Sequence, residues 1–157
     1  MARGCVAVID TTFARVNMGD IALPVLEKRL PGYEIRRITV PGIKDLPGAA
    51  KRMLDSGCDA AITLGWVGMR EADKLSYLAM SIGLIMVEIL TGKILLDVTV
   101  HEDEAPGDPE RLREITVDRV VKHAENLALM LRRGPDALVK YAGKGLRQGY
   151  EHAGELK

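Results

Sequence analysis

His101 is the side chain best suited to move a proton near neutral pH, since an unperturbed imidazole titrates there. It closes an apolar run and opens an acidic one, His101-Glu102-Asp103-Glu104. The neighbouring carboxylates are expected to raise its pKa, and they are also able to gather a divalent cation. A solvated acidic loop carrying a surface histidine is the competing reading. His123, flanked by Lys122 and Glu125, is a second candidate for the same site, whereas His152 near the end of the sequence suggests no role.

Three other clusters carry groups that can hold a small molecule. Asp10-Thr11-Thr12-Phe13-Ala14-Arg15 sets the only phenylalanine among hydroxyls. Phe13 is either a stacking platform for a flat heterocycle, worth about 0.5–1.5 kcal/mol beyond area burial, or a staple fixing the loop to the next helix. Pro41-Gly42-Ile43-Lys44-Asp45 reads as a turn that lets backbone approach a ligand closely, with amides ahead of a helix suited to hydroxyl or carbonyl oxygens. Asp45 can act as a base through water, or simply sit well in a first helical turn. Lys44 and Arg15 offer positive charge to a developing anion. The third cluster, Gly65-Trp66-Val67-Gly68, offers backbone contact at Gly65 and an indole at Trp66 that either faces the ligand or seals an oligomer interface.

Each cluster follows an apolar run of strand length: Cys5–Ile9, Ile35–Val40, Ala60–Leu64 and Ile94–Val100. The first and third are continuous rather than alternating, as strands covered on both faces of a parallel sheet are. Between them lie stretches with helical spacing, such as Ile21, Val25 and Leu26, then Ala49, Ala50, Met53 and Leu54. Strand and helix alternate, which predicts an α/β layered fold with its ligands beyond the carboxyl ends of the strands. A third helix is predicted over about 73–90. It is apolar almost all round from Leu78 to Leu90, so it needs cover beyond the sheet, and a second copy of the chain is one source of it. A fourth helix runs to Arg133, where Gly134-Pro135 stops it. A short helix around 136–141 and a glycine-punctuated tail follow.

With 157 residues the chain is read as one domain over 1–157, its C-terminal helix and tail beginning near 135. Twenty-two basic and 22 acidic residues give zero formal charge, which argues against nucleic acid or an anionic membrane as partner. No apolar stretch exceeds about 13 residues, short for a bilayer span. With no visible signal peptide, the expectation is a cytoplasmic protein. Cys5 and Cys58 are read as small buried side chains rather than a disulfide framework. No phosphate loop, dinucleotide fingerprint, nucleophile elbow or zinc spacing occurs, so no redox cofactor is expected.

Five strings together resemble archaeal-type riboflavin synthase. They are Val8-Ile9-Asp10-Thr11-Thr12-Phe13-Ala14-Arg15, Val40-Pro41-Gly42-Ile43-Lys44-Asp45-Leu46-Pro47, His101-Glu102-Asp103-Glu104-Ala105, His123-Ala124-Glu125-Asn126, and Ala142-Gly143-Lys144-Gly145-Leu146-Arg147-Gln148-Gly149. More distantly the chain is similar to 6,7-dimethyl-8-ribityllumazine synthase. The resemblance implies a flavodoxin-like three-layer sandwich with a four-stranded parallel sheet, order 2-1-3-4, assembled as a homopentamer. It implies dismutation of two 6,7-dimethyl-8-ribityllumazine molecules, and a divalent cation such as magnesium. Lumazine synthases carry a histidine soon after the third strand. Here Met69-Arg70-Glu71-Ala72-Asp73-Lys74 has none, which puts that activity second and a non-catalytic flavin or pterin binding module third. The site expected on these grounds comprises His101, Asp45 and Lys44 for chemistry. Thr11, Thr12, Phe13, Arg15, Pro41, Gly42, Ile43, Gly65, Trp66, Glu102 and His123 are expected to bind.

Overall fold

The apolar runs become four parallel strands in the computed structural model, which describes residues 2–157. They are β1 (Gly4–Thr11), β2 (Tyr33–Val40), β3 (Ala60–Val67) and β4 (Ile94–His101), ordered β2-β1-β3-β4 as expected. The central pair β1 and β3 is buried at almost every position, while edge strand β2 alternates. That difference follows from helices lying on both faces.

The crossovers are α1 (Met18–Arg29), α2 (Leu46–Asp55), α3 (Glu71–Thr91) and α4 (Pro109–Arg133). Alternate side chains split the core in two. Val6, Val8, Ile62, Leu64, Val98 and Val100 pack with α1 and α4. Ala7, Ile9, Ala61, Val67 and Leu95 pack with α2 and α3. Helix starts are set locally: the Asn17 side-chain Oδ1 accepts the Asp20 amide at 3.1 Å, and the Asp108 carboxylate accepts that of Arg111 at 3.0 Å.

Four expectations change. Strand β3 continues three residues past Leu64, so Gly65, Trp66 and Val67 pair with Thr99, Val100 and His101 instead of forming a loop. The predicted helix near 136–141 shortens to a 3-10 turn, Val139–Tyr141. Cys5 and Cys58 are joined as a disulfide, their Cα atoms 4.4 Å apart. The Asp59 amide donates to the Cys5 carbonyl at 2.8 Å and the Cys5 amide to the Asp59 carboxylate at 2.9 Å, which brings the pair together.

Helix α3 is 21 residues long and, by length and composition, reaches what a bilayer span requires, contrary to the reading of its apolar stretch alone. Only Met80, Leu84 and Val87 of it are buried, against α2 and the sheet. Leu75, Leu78, Ile82, Ile85 and Ile89 form an exposed stripe on the other side, Ile89 being 74% accessible. The extra cover this helix needs does not come from its own chain.

Candidate active site

The loop after β1 is braced before it reaches solvent. Buried Asp10 accepts the Thr39 hydroxyl and the Arg37 guanidinium, both at 2.6 Å, and Arg37 also donates to Asn17 (2.6 Å) and Asp20 (2.7 Å). The Thr12 amide donates to Val40 O at 2.9 Å and its hydroxyl to Pro41 O at 3.2 Å, while Thr11 Oγ1 accepts the Ala14 amide. Two loops are thereby tied together, and Phe13 stands out from them 51% exposed. Its ring reaches contact distance of Gly68 just past β3, whose missing side chain makes room for the Asp73 carboxylate, 2.5 Å from where a Cβ would be. The half-exposed ring leaves one side open to solvent.

Phe13 forms one wall of a cavity of about 250 Å³. The turn from Pro41 to Asp45, Trp66, and Asp73 and Ser76 from the first turns of α3 complete it. Lys44 lines it as expected. Asp45 does too, but its carboxylate accepts the Gly42 amide at 3.1 Å. That commits Asp45 to holding the turn and takes the Gly42 amide away from a ligand. Gly42 itself is extended (φ −147°) with open space where a Cβ would point, so its contribution is room. Gly65 contacts no cavity: an Ile43 methyl sits 3.1 Å from its would-be Cβ, so that glycine accommodates Ile43.

Trp66 is 1% exposed and packs within its own chain, so it seals no interface. Its indole N–H donates to Glu102 at 3.1 Å, and Arg15 donates to the same oxygen at 3.0 Å. Thus Glu102 links the β1 loop to the end of β3 rather than facing a ligand. Asp103 pairs with Lys74 at 2.7 Å. Glu104 takes both forks of Arg119, at 2.6 and 2.7 Å, and the His101 amide at 2.8 Å. The three acidic side chains are therefore spent on separate cations. Among the described residues no three His, Cys, Asp or Glu groups converge on a metal position. The magnesium implied by the resemblance does not fit these residues of one chain.

His101 lines a different cavity, of about 230 Å³, at the outer edge of β4. Tyr77 from α3 meets the imidazole edge-on, ring centres 4.6 Å apart. Asp97 and Thr99 lie below it on the strand, Arg119 and His123 face it from α4, and Gln148 and Tyr150 from the tail close it. Burial is the largest influence on His101 and lowers its pKa. Glu104, Asp103 and Asp97 pull the other way, and Arg119 adds to the lowering. The carboxylates do not win, contrary to the expectation from sequence, because burial outweighs them. His123 is pushed down to about 4 by burial and then by Arg119. Both imidazoles are consequently neutral, proton-accepting bases near pH 7.

Asp97 was not anticipated. Its oxygens accept Thr63 at 2.9 Å and Thr99 at 2.7 Å, and burial raises its pKa against the pull of those hydroxyls and of His101. Its signal was available as a lone charge inside the run Ile94–Val100. Tyr77, Asp73 and Ser76 recur at helical spacing after β3, which a reading confined to strand ends passes over.

A parallel sheet in this order, with cavities beyond its carboxyl edge, defines a small-molecule site of the α/β class. The model of the 6,7-dimethyl-8-ribityllumazine synthase family matches residues 4–132, and the chain belongs to that family. It is similar to proteins named riboflavin synthase from three archaea. The one from Aeropyrum pernix is 71% identical over 98% of both chains. That from Archaeoglobus fulgidus is 48% identical over 96% of this chain and 97% of its own. The protein from Methanothermobacter thermautotrophicus is 45% identical over 96% and 98%.

Proposed function

We propose that the chain is a riboflavin synthase, converting two 6,7-dimethyl-8-ribityllumazine molecules to riboflavin and 5-amino-6-(D-ribitylamino)uracil in the cytoplasm. The 71% identity along nearly the whole chain to a protein of that name carries the reading. One substrate gives a four-carbon unit to the other, so atoms and electrons balance without an external oxidant.

The residues fit the demands of that reaction. Phe13 stacks a pteridine ring and the Ile43 amide faces the ribityl hydroxyls, whereas Thr11 and Thr12 line a separate cavity with Arg15 and brace the loop. Holding two reactants in one alignment is worth up to about 7–11 kcal/mol. A base must remove a proton from the C7 methyl of one substrate. Neutral His101 accepts it on a ring nitrogen, and Lys44 offsets the charge delocalised into the pteridine. No step is routed through a metal ion.

Neither cavity suffices alone. Each is smaller than the roughly 300–1,000 Å³ typical of a ligand pocket. The first holds the exposed Phe13 ring but no imidazole, and the second holds both imidazoles. We infer that they join between copies, His101 and His123 of one chain serving the Phe13 cavity of the next. The apolar stripe on α3 supplies the contact, in the pentamer the resemblance implies.

Incubating the purified protein with the lumazine alone tests this. Riboflavin fluorescence is the expected result. Product formed only from the pyrimidine and a four-carbon phosphate makes it a lumazine synthase, and bound ligand without turnover makes it a binding module.

A further inference from the structure

The C-terminal half of α4 and the tail together build a crevice that the proposed reaction does not use. The chain reverses after Arg133 and the tail returns along the helix. Its Gly149 amide donates to Asp118 at 2.9 Å, and Arg119 donates to Gln148 O at 3.2 Å. Within the tail the Ala153 amide donates to Gly145 O at 2.8 Å. Between tail, α4 and the end of α1 lies a cavity of about 440 Å³, larger than either strand-end cavity.

Its charge is one-sided. Arg29, Lys122, Arg132, Arg133 and Arg147 line it against the single carboxylate of Glu125. Glu125 is taken by Arg29 at 3.1 Å, and Lys122 pairs with Asp118 at 3.0 Å. Arg132, Arg133 and Arg147 have no ion pair among the described residues, although the whole chain carries equal numbers of acidic and basic groups. Like charges gathered around a concavity repel unless an anion joins them. His152 Nδ1 accepts the Arg147 amide at 3.0 Å, which leaves its Nε2–H as a further donor. Leu129, Tyr141 and Leu146 add apolar lining.

We infer that this crevice binds a phosphate group, as the free anion or as the monoester of a small aromatic molecule. Guanidinium forks match a tetrahedral oxyanion two oxygens at a time, and three of them suit a dianion better than a carboxylate. The site lies on the α1 and α4 side of the sheet, away from the stripe on α3, so self-association through that stripe leaves it open. Gln148 lines both this crevice and the His101 cavity. An anion that bridges Arg132 and Arg147 therefore fastens the tail that closes the base-bearing cavity.

Calorimetric titration of the full chain with inorganic phosphate and with phenyl phosphate, at ionic strength held constant with chloride, tests the proposal. Saturable binding of one phosphate per chain is expected, with slowed amide exchange in residues 144–153. Arg132→Glu and Arg147→Glu, on opposite walls, each weaken it at least about tenfold, with the unfolding midpoint unchanged. Tighter binding of the ester identifies the aromatic monoester as occupant, and equal binding identifies the free anion. Both uphold the site. No saturation beyond the chloride response, or binding indifferent to both charge reversals, overturns it.

Discussion

Glu104→Gln tests whether the buried pair at the end of β4 holds the base-bearing cavity together. Glu104 and Arg119 are 5% and 6% exposed, joined by two bonds of 2.6 and 2.7 Å, with the His101 amide adding a third at 2.8 Å. Neutralising one member leaves the other charged and buried, which ordinarily costs about 3–5 kcal/mol. Arg119 keeps the carbonyls of Thr99, Gln148 and Gly149, so the lower end, about 3 kcal/mol, is expected here.

The loss has a pH signature. Burial would raise the Glu104 pKa, but the Arg119 guanidinium, the His101 amide and the Tyr150 hydroxyl outweigh it, and the folded value lies below the ordinary 4.5. A carboxyl with a depressed folded pKa contributes stability that is full above its unfolded pKa and disappears as pH falls through the folded one. Wild type and variant therefore differ by a constant amount at neutral pH and converge under acid. Urea unfolding at fixed protein concentration, followed by Trp66 fluorescence from pH 7 downward, reads both. A difference below about 1 kcal/mol at pH 7, or one that persists unchanged into acid, refutes the reasoning. Adding Arg119→Met to the variant removes the orphan charge but also the donor to the Thr99, Gln148 and Gly149 carbonyls, so only part of the loss is recovered.

Phe13→Ala is expected to raise KM and lower kcat, together by roughly two- to tenfold or more, in steady-state assays. Stability changes within about 0.5 kcal/mol, since the ring is half exposed. His101→Gln retains measurable turnover, about 10²–10⁴-fold reduced, and removes the acid limb that the wild type shows as pH drops through the lowered imidazole pKa. An identical acid limb in the variant excludes His101 as the base. Ile85→Glu and Ile89→Glu on the exposed stripe lower the sedimentation coefficient and turnover in parallel, and an unchanged assembly contradicts the proposed contact. Without reductant, Cys5 and Cys58 take up no alkylating label in denaturant, and reduction adds two labels per chain by intact mass.

Periodicity revealed the layers because it is a local property: continuous Val, Ile and Ala runs need cover on two faces whatever their partners are. The strand order came from the resemblance. What escaped the reading was set by contacts between distant segments. Gly65-Trp66 looks like a turn by composition, yet Ile43 fills the space over Gly65 and Glu102 satisfies the indole, so strand β3 runs on. The acidic string after His101 resembles a metal loop until Arg15, Lys74 and Arg119 arrive from three other elements. No spacing in the sequence announces those pairings. The same applies to His101 and Phe13, which the sequence reading assigned to one site and which open onto separate cavities of one chain.

The Cys5–Cys58 link has a mechanical consequence. It closes a covalent ring of chain containing β1 from Cys5 onward and all of α1, β2 and α2. Phe13, the turn at Gly42 and the Asp10–Arg37 brace lie inside that ring, whereas His101, His123 and the tail lie outside it. Transient fraying of the outer portion thus leaves the aromatic ledge and its hydroxyl-rich rim topologically confined. The segment bearing His101 and His123 can loosen and re-dock against a surface whose own ends cannot drift apart.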